Sequence, residues 1–322
     1  MKLLVTGGAG FIGSNFVDLL LRDGLELNFE SVTVLDSMTY AADMANFSSK
    51  TLKDPRFSFI RGDVRDAKLV ARLVTSADQI INFAAESHVD RSIENPTVFL
   101  ETNVIGTLNI LSAMKDSSNS HCRLLQVSTD EVYGSIIEGS WDEHSPLEPN
   151  SPYSASKAAA DLLIRSFHKT YGLDVVVTRC CNNYGPRQFP EKLIPYFVKL
   201  LLAGEQVPVY GNGFQRREWI YVADHCRGIA RALSEGQSGS VYHFGSSDEF
   251  SNIEIVKMML EILNLDENYI KFVPDRPGHD IRYSLNCTKS YDELGFENSV
   301  NFSDGFRSTI EWYAEKFRAN IS

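Results

Sequence analysis

Three observations predict an α/β protein with a doubly wound parallel sheet and a smaller C-terminal region. Short apolar runs alternate with longer helical patterns through the first half of the chain. These runs are continuously apolar, as expected for strands that helices cover on both faces. A glycine-rich turn follows the first run directly. Repeated strand–helix alternation of this kind is typical of a parallel sheet between two helical layers.

The elements follow from the apolar pattern of each segment. Strands are expected at 2–7, 31–36, 56–63, 79–85, 123–128 and 173–179, with helices at about 12–22, 66–75, 97–115 and 154–171. Beyond residue 180 the pattern becomes irregular in the stretch CCNNYGPRQFPEKLIP. After it we expect a helix near 192–203, a hairpin at 208–222, a helix near 224–234, a strand at 240–245 and two further helices.

The change of pattern near residue 180 predicts the domain organisation. Residues 1–180 form the first unit, to which 224–246 return, and residues 181–322 form mainly the second region. No hydrophilic linker separates the two. We therefore expect the second region to pack against the carboxyl edge of the sheet.

Composition excludes several classes of protein. The net charge of −11, from 31 basic and 42 acidic residues, disfavours general nucleic-acid binding but not binding of a phosphorylated small molecule. The five cysteines have no metal-ligand spacing, so we expect reduced thiols and no metal. No apolar run approaches the roughly 18 residues of a membrane span, and the start does not resemble a signal peptide. A cytoplasmic protein without a membrane partner is expected.

The helical patterns 97–115 and 154–171 have wide apolar coverage. A helix that is apolar on more than one side packs on the sheet and on something else. A homodimer through a bundle of such helices is one expectation, and a fully internal helix is an equal alternative.

The glycine-rich turn VTGGAGFIGS predicts a dinucleotide site. Gly7, Gly10 and Gly13 are three residues apart, between a strand and a helix. This spacing permits the tight turn, the approach of a pyrophosphate and close helix packing. Asp36 ends the second strand, where an acid accepts hydrogen bonds from the adenosine ribose and favours NAD over NADP. The alternative is a glycine turn used for packing alone.

Other strand ends extend the same site. Asp63 follows the third strand and Ala84 and Ala85 follow the fourth, where they would flank the adenine and the ribose. Asp63 could equally be a helix cap.

The segment YSASK places Tyr153 and Lys157 four residues apart, on one side of a helix. A lysine beside a phenol favours the phenolate, so we expect the tyrosine pKa to be lowered and the tyrosine to act as a general base. Alone, this spacing is common by chance and fits a solvated helix face.

The run QVSTDEVYG places Asp130 and Glu131 side by side after an apolar strand. Adjacent acids are usually solvated surface. In a closed site, however, two carboxyl groups separate their pKa values, so that one donates a proton while the other accepts one.

Together the glycine motif and the Tyr-x-x-x-Lys motif resemble the extended short-chain dehydrogenase/reductase superfamily, which has a Rossmann fold and acts largely on nucleotide sugars. Within it, STDEVYG, FAAESHVDRSI, PYSASKA, NNYGPRQFPEKLIP, REWIYVADH and DRPGHDIRY are similar to the dTDP-glucose 4,6-dehydratase family, over nearly the whole chain. Sugar 4-epimerases of the superfamily lack the Asp-Glu pair, and UDP-glucuronate decarboxylases typically carry serine in place of the aspartate.

The resemblance implies a hydro-lyase of deoxysugar biosynthesis, with NAD as cofactor and dTDP-glucose as substrate. Tyr153, aided by Lys157, would take the 4-hydroxyl proton during transient oxidation at carbon 4, and Thr129 would hydrogen-bond that hydroxyl. Glu131 would remove the carbon 5 proton and Asp130 would protonate the departing 6-hydroxyl. Hydride return to carbon 6 would complete the 4-keto-6-deoxy product.

The resemblance also implies two sets of binding residues. The cofactor set is Gly7, Gly10, Phe11, Ile12, Gly13, Asp36, Ser37, Thr39, Asp63, Val64, Phe83, Ala84, Ala85, Ser87, Thr102, Val127, Tyr153, Lys157, Cys180 and Asn183. The substrate set is Ser87, Thr129, Asp130, Glu131, Tyr153, Asn182, Lys192, Leu193, Tyr210, Arg217, Asn252, Arg276 and His279, with the two arginines on the pyrophosphate.

A few positions depart from the family pattern. Ser37 stands where lysine is common, TYAAD where TYAGN is usual, Cys181 where serine is frequent and Glu218 where aspartate is common. Because none is a proposed acid or base, they leave only cofactor affinity and nucleotide preference open. Dehydration of a UDP- or CDP-sugar, an epimerase or decarboxylase, and a non-catalytic NAD-binding module are the alternatives.

Overall fold

The computed structural model describes residues 1–22, 24–117, 119, 121–275 and 278–319. Its strands are β1 (Lys2–Thr6), β2 (Ser31–Asp36), β3 (Phe57–Arg61), β4 (Gln79–Asn82), β5 (Arg123–Thr129), β6 (Asp174–Cys180), β7 (Asn182–Tyr184), β8 (Val207–Tyr210), β9 (Arg216–Tyr221), β10 (Val241–Phe244), β11 (Glu249–Ser251) and β12 (Ile270–Val273). Its α-helices are α1 (Phe11–Leu21), α2 (Ala67–Thr75), α3 (Val89–Glu94), α4 (Pro96–Phe99), α5 (Gly106–Asp116), α6 (Pro152–Tyr171), α7 (Leu193–Leu202), α8 (Val222–Glu235), α9 (Asn252–Leu263), α10 (Thr288–Leu294) and α11 (Phe302–Ala319).

The main sheet contains seven parallel strands in the described part of the chain, in the order β10-β6-β5-β4-β1-β2-β3. Helices α1 and α8 cover one face, while α2, α5 and α6 cover the other. The fold class is therefore the expected doubly wound α/β sheet. The strand order reverses between β1 and β4, which opens a crevice beyond their carboxyl ends.

The C-terminal region builds on smaller sheets. Strands β7, β9 and β11 form one, and β8 pairs in parallel with β12 in another. A separate core lies between these strands and α7, α9 and α11. Strand β10 returns to the main sheet beside β6, and α8 packs against α1. Within the described residues, no helix is both long and apolar enough to span a bilayer.

The hairpin expected at 208–222 is wrong. Strands β8 and β9 flank that turn, but they pair with different partners in different sheets. Gly211 and Gly213 have positive φ, and the Gly211 amide donates to the carbonyl of Val273 in β12 while the Gly213 carbonyl accepts from Ile253 in α9. The Gly213 amide also donates to the Tyr210 carbonyl within the turn, but β8 and β9 do not pair with each other.

The helix expected at 97–115 is interrupted. Between α4 and α5, residues Leu100–Ile105 form a π-helical turn. The turn carries Asn103, which is buried and whose side-chain amide bonds to both backbone groups of Glu86 and to the Ser156 hydroxyl. The apolar pattern of the sequence does not reveal such a turn, because a π-helical turn does not change which residues are apolar.

Candidate active site

A cavity of about 490 Å³ lies beyond the carboxyl ends of the central strands. Every residue of the expected catalytic and cofactor sets lines it, and so do Asn182, Lys192 and Leu193 from the substrate set. The expected substrate residues Tyr210, Arg217, Asn252 and His279 are not among its lining, and Arg276 lies outside the described residues.

The dinucleotide end of the cavity is built by the turn after β1. Gly7 has a φ of +68°, and a Cβ there would come within 2.5 Å of the Ala84 amide nitrogen. Helix α1 begins at Phe11 after Gly10, whose position carries no side-chain cap. The first-turn amides therefore keep their donors for an anion, and the helix dipole favours the same charge. These residues fit the pyrophosphate of a dinucleotide.

Asp36 is held at the end of β2 and is 6% exposed. One carboxylate oxygen accepts from the Ala9 amide at 2.9 Å and the other from the Met38 amide at 2.8 Å. Burial raises the pKa of Asp36, while these two hydrogen bonds act in the opposite direction. Each oxygen keeps a lone pair, so the carboxylate can still accept from two ribose hydroxyls.

Asp63 does not cap the following helix. Asp66 caps α2 by accepting from the Lys68 and Leu69 amides. Asp63 instead accepts from the backbone and guanidinium of Arg65, and it lines the cavity.

Helix α6 places the Tyr153–Lys157 pair. It begins at Pro152, after a capping box between Ser151 and Ser154, so Tyr153 lies in the first turn and Lys157 in the next. The Lys157 ammonium donates to the Val127 carbonyl at 2.7 Å. Burial raises the pKa of Tyr153 well above its usual value, and the Glu131 carboxylate adds to this. The expected lowering of the tyrosine pKa by the lysine is therefore wrong for the protein's own groups, since burial is the largest influence and the group that acts in the opposite direction is the Thr129 hydroxyl.

The acid pair lies on a short turn directly after β5. Thr129 caps this turn by accepting from the Glu131 amide, and its hydroxyl donates to one oxygen of Asp130 at 3.1 Å. The second Asp130 oxygen is buried without a hydrogen-bond partner among the described residues. Burial, then the charges of Glu131 and Glu218, raise the pKa of Asp130 well above its usual value. Asp130 is thus favoured as an acid, beside a partly exposed Glu131.

The remaining substrate candidates lie in the C-terminal region. The Arg217 guanidinium is buried, donates to the carbonyls of Arg216 and Asp280, and stacks 4.4 Å from the centre of the Tyr283 ring. Lys192 donates to the Ser87 carbonyl at 2.7 Å.

Of the other three candidates, Tyr210 ends β8, Asn252 opens α9 and His279 lies in the loop after β12. The rings of Tyr210 and His279 meet edge to face. Among the described residues, no cluster of His, Cys, Asp and Glu could hold a metal ion.

Sequence reasoning missed several polar residues of this site. Glu86 and Glu191 line the cavity. Tyr283 is buried. Burial is the largest cause that raises the pKa of Tyr283, and the Glu131 carboxylate is the next. Glu86 follows the Ala84–Ala85 pair, and Tyr283 ends the DRPGHDIRY segment. Their positions beside these motifs were the sequence signal that could have indicated both residues.

Comparisons with known proteins agree with this geometry. The family model described as GDP-mannose 4,6 dehydratase matches residues 4–309. A dTDP-glucose 4,6-dehydratase of Streptomyces niveus is 51% identical over 317 residues, which cover 98% of this chain and 93% of that protein.

Two solved structures separate fold from reaction. DesIV, a dTDP-glucose 4,6-dehydratase of Streptomyces venezuelae with NAD and TYD bound, has a TM-score of 0.95 and 53% identity, over 98% of this chain and 97% of its own. A UDP-glucose 4-epimerase of Thermotoga maritima with UDP-glucose has a TM-score of 0.88 but 28% identity, over 100% of both chains. The fold is thus shared across reactions, whereas the higher identity is to the dehydratases.

Proposed function

The chain belongs to the dTDP-glucose 4,6-dehydratases, within the GDP-mannose 4,6 dehydratase family, and from this membership we propose that it dehydrates dTDP-glucose to dTDP-4-keto-6-deoxyglucose with NAD. The observation that carries the proposal is the Thr129–Asp130–Glu131 turn facing the same cavity as Tyr153 and Lys157. An epimerase needs only Tyr153 and Lys157, whereas elimination of water needs an acid and a base in addition to these two.

The residues divide the reaction between them. When bound, NAD would supply the hydride acceptor for carbon 4 and the hydride donor for carbon 6, and carbon 5 regains a proton as carbon 6 is reduced. Tyr153 takes the proton of the 4-hydroxyl, and Thr129 hydrogen-bonds the oxygen that becomes a ketone. The ketone makes the carbon 5 proton acidic, so Glu131 can remove it. Asp130, whose pKa burial raises, donates a proton to the departing 6-hydroxyl.

The cofactor and substrate sets are assigned to different parts of the cavity. The turn after β1, Asp36 and Asp63 hold the adenosine and pyrophosphate of NAD. Asn182, Lys192 and Leu193, which also line the cavity, are assigned to the sugar nucleotide. Tyr210, Arg217, Asn252 and His279 lie outside the cavity lining and are assigned to the diphosphate and base of the sugar nucleotide, as is Arg276, which lies outside the described residues. Residues 1–180 with 224–246 form the cofactor unit, and the rest of 181–322 forms the substrate unit.

An isotope experiment tests this function. Substrate carrying deuterium at carbon 4 should give a product with deuterium in its carbon 6 methyl group, read by NMR or mass spectrometry. Product without that deuterium would contradict internal hydride return. Turnover of UDP-glucose but not dTDP-glucose would overturn the choice of nucleotide.

A homodimer is the proposed assembly. Leu100 and Ile105 on the π-helical turn and Leu162 on α6 are large apolar residues that are 45–50% exposed. Packing this face on that of a second copy would bury them in a helical bundle. Sedimentation should give a dimer for the native chain and a monomer for Leu100→Glu with Ile105→Glu. The same substitution at the exposed Ile137 is the control.

The compartment is proposed from the thiols. Cys122, Cys180, Cys181, Cys226 and Cys287 are all free. Free thiols persist in a reducing compartment, which favours the cytoplasm.

A further inference from the structure

A buried ion pair outside the reacting groups joins the acid turn to the tyrosine helix. Asp161 lies on α6 one turn beyond Lys157, and Arg179 lies on β6. The Arg179 Nε atom donates to Asp161 Oδ2 at 2.9 Å, and the two side chains are 6% and 2% exposed. A buried pair of charges is costly to form, and structural stability alone is a weak reason for one.

The ion pair is bonded to both ends of the acid turn. On the N-terminal side of the turn, the Ser128 hydroxyl donates to Asp161 Oδ2 at 3.0 Å. Behind it, Arg179 donates to the Tyr133 hydroxyl, and its guanidinium lies 4.8 Å from the centre of the Tyr133 ring. Thr129, Asp130 and Glu131 lie between these two attachments. The turn is therefore fixed on both sides to one pair.

The hydrogen bonds behind the turn run in one direction. His243 Nδ1 lies 3.0 Å from the Asn286 carbonyl oxygen, which can only accept, so Nδ1 carries the proton. Burial lowers the pKa of His243 to about 3, so the ring is neutral and its Nε2 accepts. The Tyr133 hydroxyl consequently donates to Nε2 at 2.7 Å and accepts from Arg179. This order of donors and acceptors permits a single orientation of the Tyr133 hydroxyl group.

Asp161 also acts on Lys157. Burial lowers the pKa of Lys157, and the Asp161 carboxylate one turn away is the largest influence in the opposite direction. Cys180, from β6, is the other titratable group acting on this lysine, and Val127 of β5 supplies its carbonyl acceptor. Asp161 itself faces Arg179 of β6, Tyr133 of the turn and Ser128 of β5.

We propose that Asp161 and Arg179 are positioning residues, which hold the elimination acids in register with Tyr153. This inference rests on the proposed dehydration. Because a misplacement of about 1 Å can cost about a hundredfold in rate, the pair matters for turnover and not only for folding.

The chain offers a control pair between β5 and β6, and one of its members shares β6 with Arg179. Arg123 and Asp174 form a second Arg–Asp pair between β5 and β6, with the Nε atom 2.8 Å from the carboxylate. That pair lies at the opposite strand ends, away from the cavity. Asp161→Asn and Asp174→Asn therefore make the same change in charge in an Arg–Asp pair, and the control pair is the more exposed, at 19% and 33%.

The test compares kcat of the two variants with dTDP-glucose across pH. Asp161→Asn should lower kcat about a hundredfold. It should also move the alkaline limb of the profile to lower pH, since Lys157 then loses its proton earlier. Asp174→Asn should keep the wild-type kcat and the wild-type alkaline limb of the pH profile. Equal profiles for the two variants would overturn the proposal, whereas a wild-type enzyme without product would overturn the function itself.

Tyr133→Phe decides the matter if Asp161→Asn does not fold. It keeps the ring, which stacks on Trp141, and removes only the hydroxyl between Arg179 and His243. Oxidation at carbon 4 should keep its rate while elimination slows, so enzyme-bound NADH should accumulate in a single turnover. Wild-type kcat without accumulated NADH would overturn the proposal, as would slow turnover without it.

Discussion

The cofactor end and the substrate end of the cavity are built in different ways. The cofactor end consists of residues at or shortly beyond the carboxyl ends of neighbouring strands in one continuous sheet, together with the start of α1. The proposed substrate end also draws on residues outside the cavity lining, which lie in two small sheets, at the start of a helix and in the loop before Tyr283, and whose bonding partners are distant in sequence. A parallel sheet fixes its strand ends together, whereas the substrate end depends on packing between separate segments. We therefore expect changes at the cofactor end to be severe and local, and changes at the substrate end to be graded.

The largest effect at the cofactor end is expected for Gly7→Ala. The new Cβ would meet the Ala84 backbone, and the positive φ would be strained in addition. NAD binding should be lost, with a stability cost of at least about 1–3 kcal/mol. Calorimetric titration with NAD and thermal unfolding measure the two effects.

Gly172→Ala is the control for that change. Gly172 has the same φ of +68° but nothing within 4 Å of the added Cβ. It should show the strain alone and bind NAD normally. Equal NAD affinity in the two alanine variants would show that the close approach at Gly7 is unimportant.

A smaller effect at the same end is expected for Asp36→Asn. The amide keeps one acceptor but loses the charge, and a hydrogen bond to a charged group contributes about 1.5–3 kcal/mol. NAD affinity should fall about 10–100-fold, and NADP affinity should fall less or rise, because repulsion of the 2′-phosphate is removed. Titration with both cofactors checks this. An unchanged ratio of the two affinities would remove Asp36 from cofactor selection.

The smallest effect is expected at the substrate end, for Tyr210→Phe. A neutral hydrogen bond to the nucleotide contributes about 0.5–1.5 kcal/mol, so KM for dTDP-glucose should rise about 2–12-fold. The value of kcat and the affinity for NAD should not change. Tyr291→Phe, at an exposed position on α10, is the control. Weaker NAD binding in Tyr210→Phe would contradict the separation of the two ends.

The same contrast explains what could be predicted from the sequence. Gly7, Asp36 and Tyr153 each belong to a strand end or a helix start that is recognisable from neighbouring residues, and all line the cavity. The pairing of β8 with β12 was missed because the partner strand is far along the chain. The Arg179–Asp161 pair was missed for the same reason, since nothing near either residue indicates the other. The direction of the Tyr153 pKa was wrong because burial is a property of the packed structure.

The most direct test of the central claim is a single turnover of Glu131→Gln with dTDP-glucose. Glutamine keeps the size of the side chain but cannot take the carbon 5 proton, so oxidation should proceed and elimination should stop. Enzyme-bound NADH should accumulate, and kcat should fall about 10²–10⁴-fold. Glu138→Gln, at an exposed position beyond the same turn, should behave as wild type. Wild-type turnover by Glu131→Gln without accumulated NADH would contradict the assignment of the acid pair to dehydration.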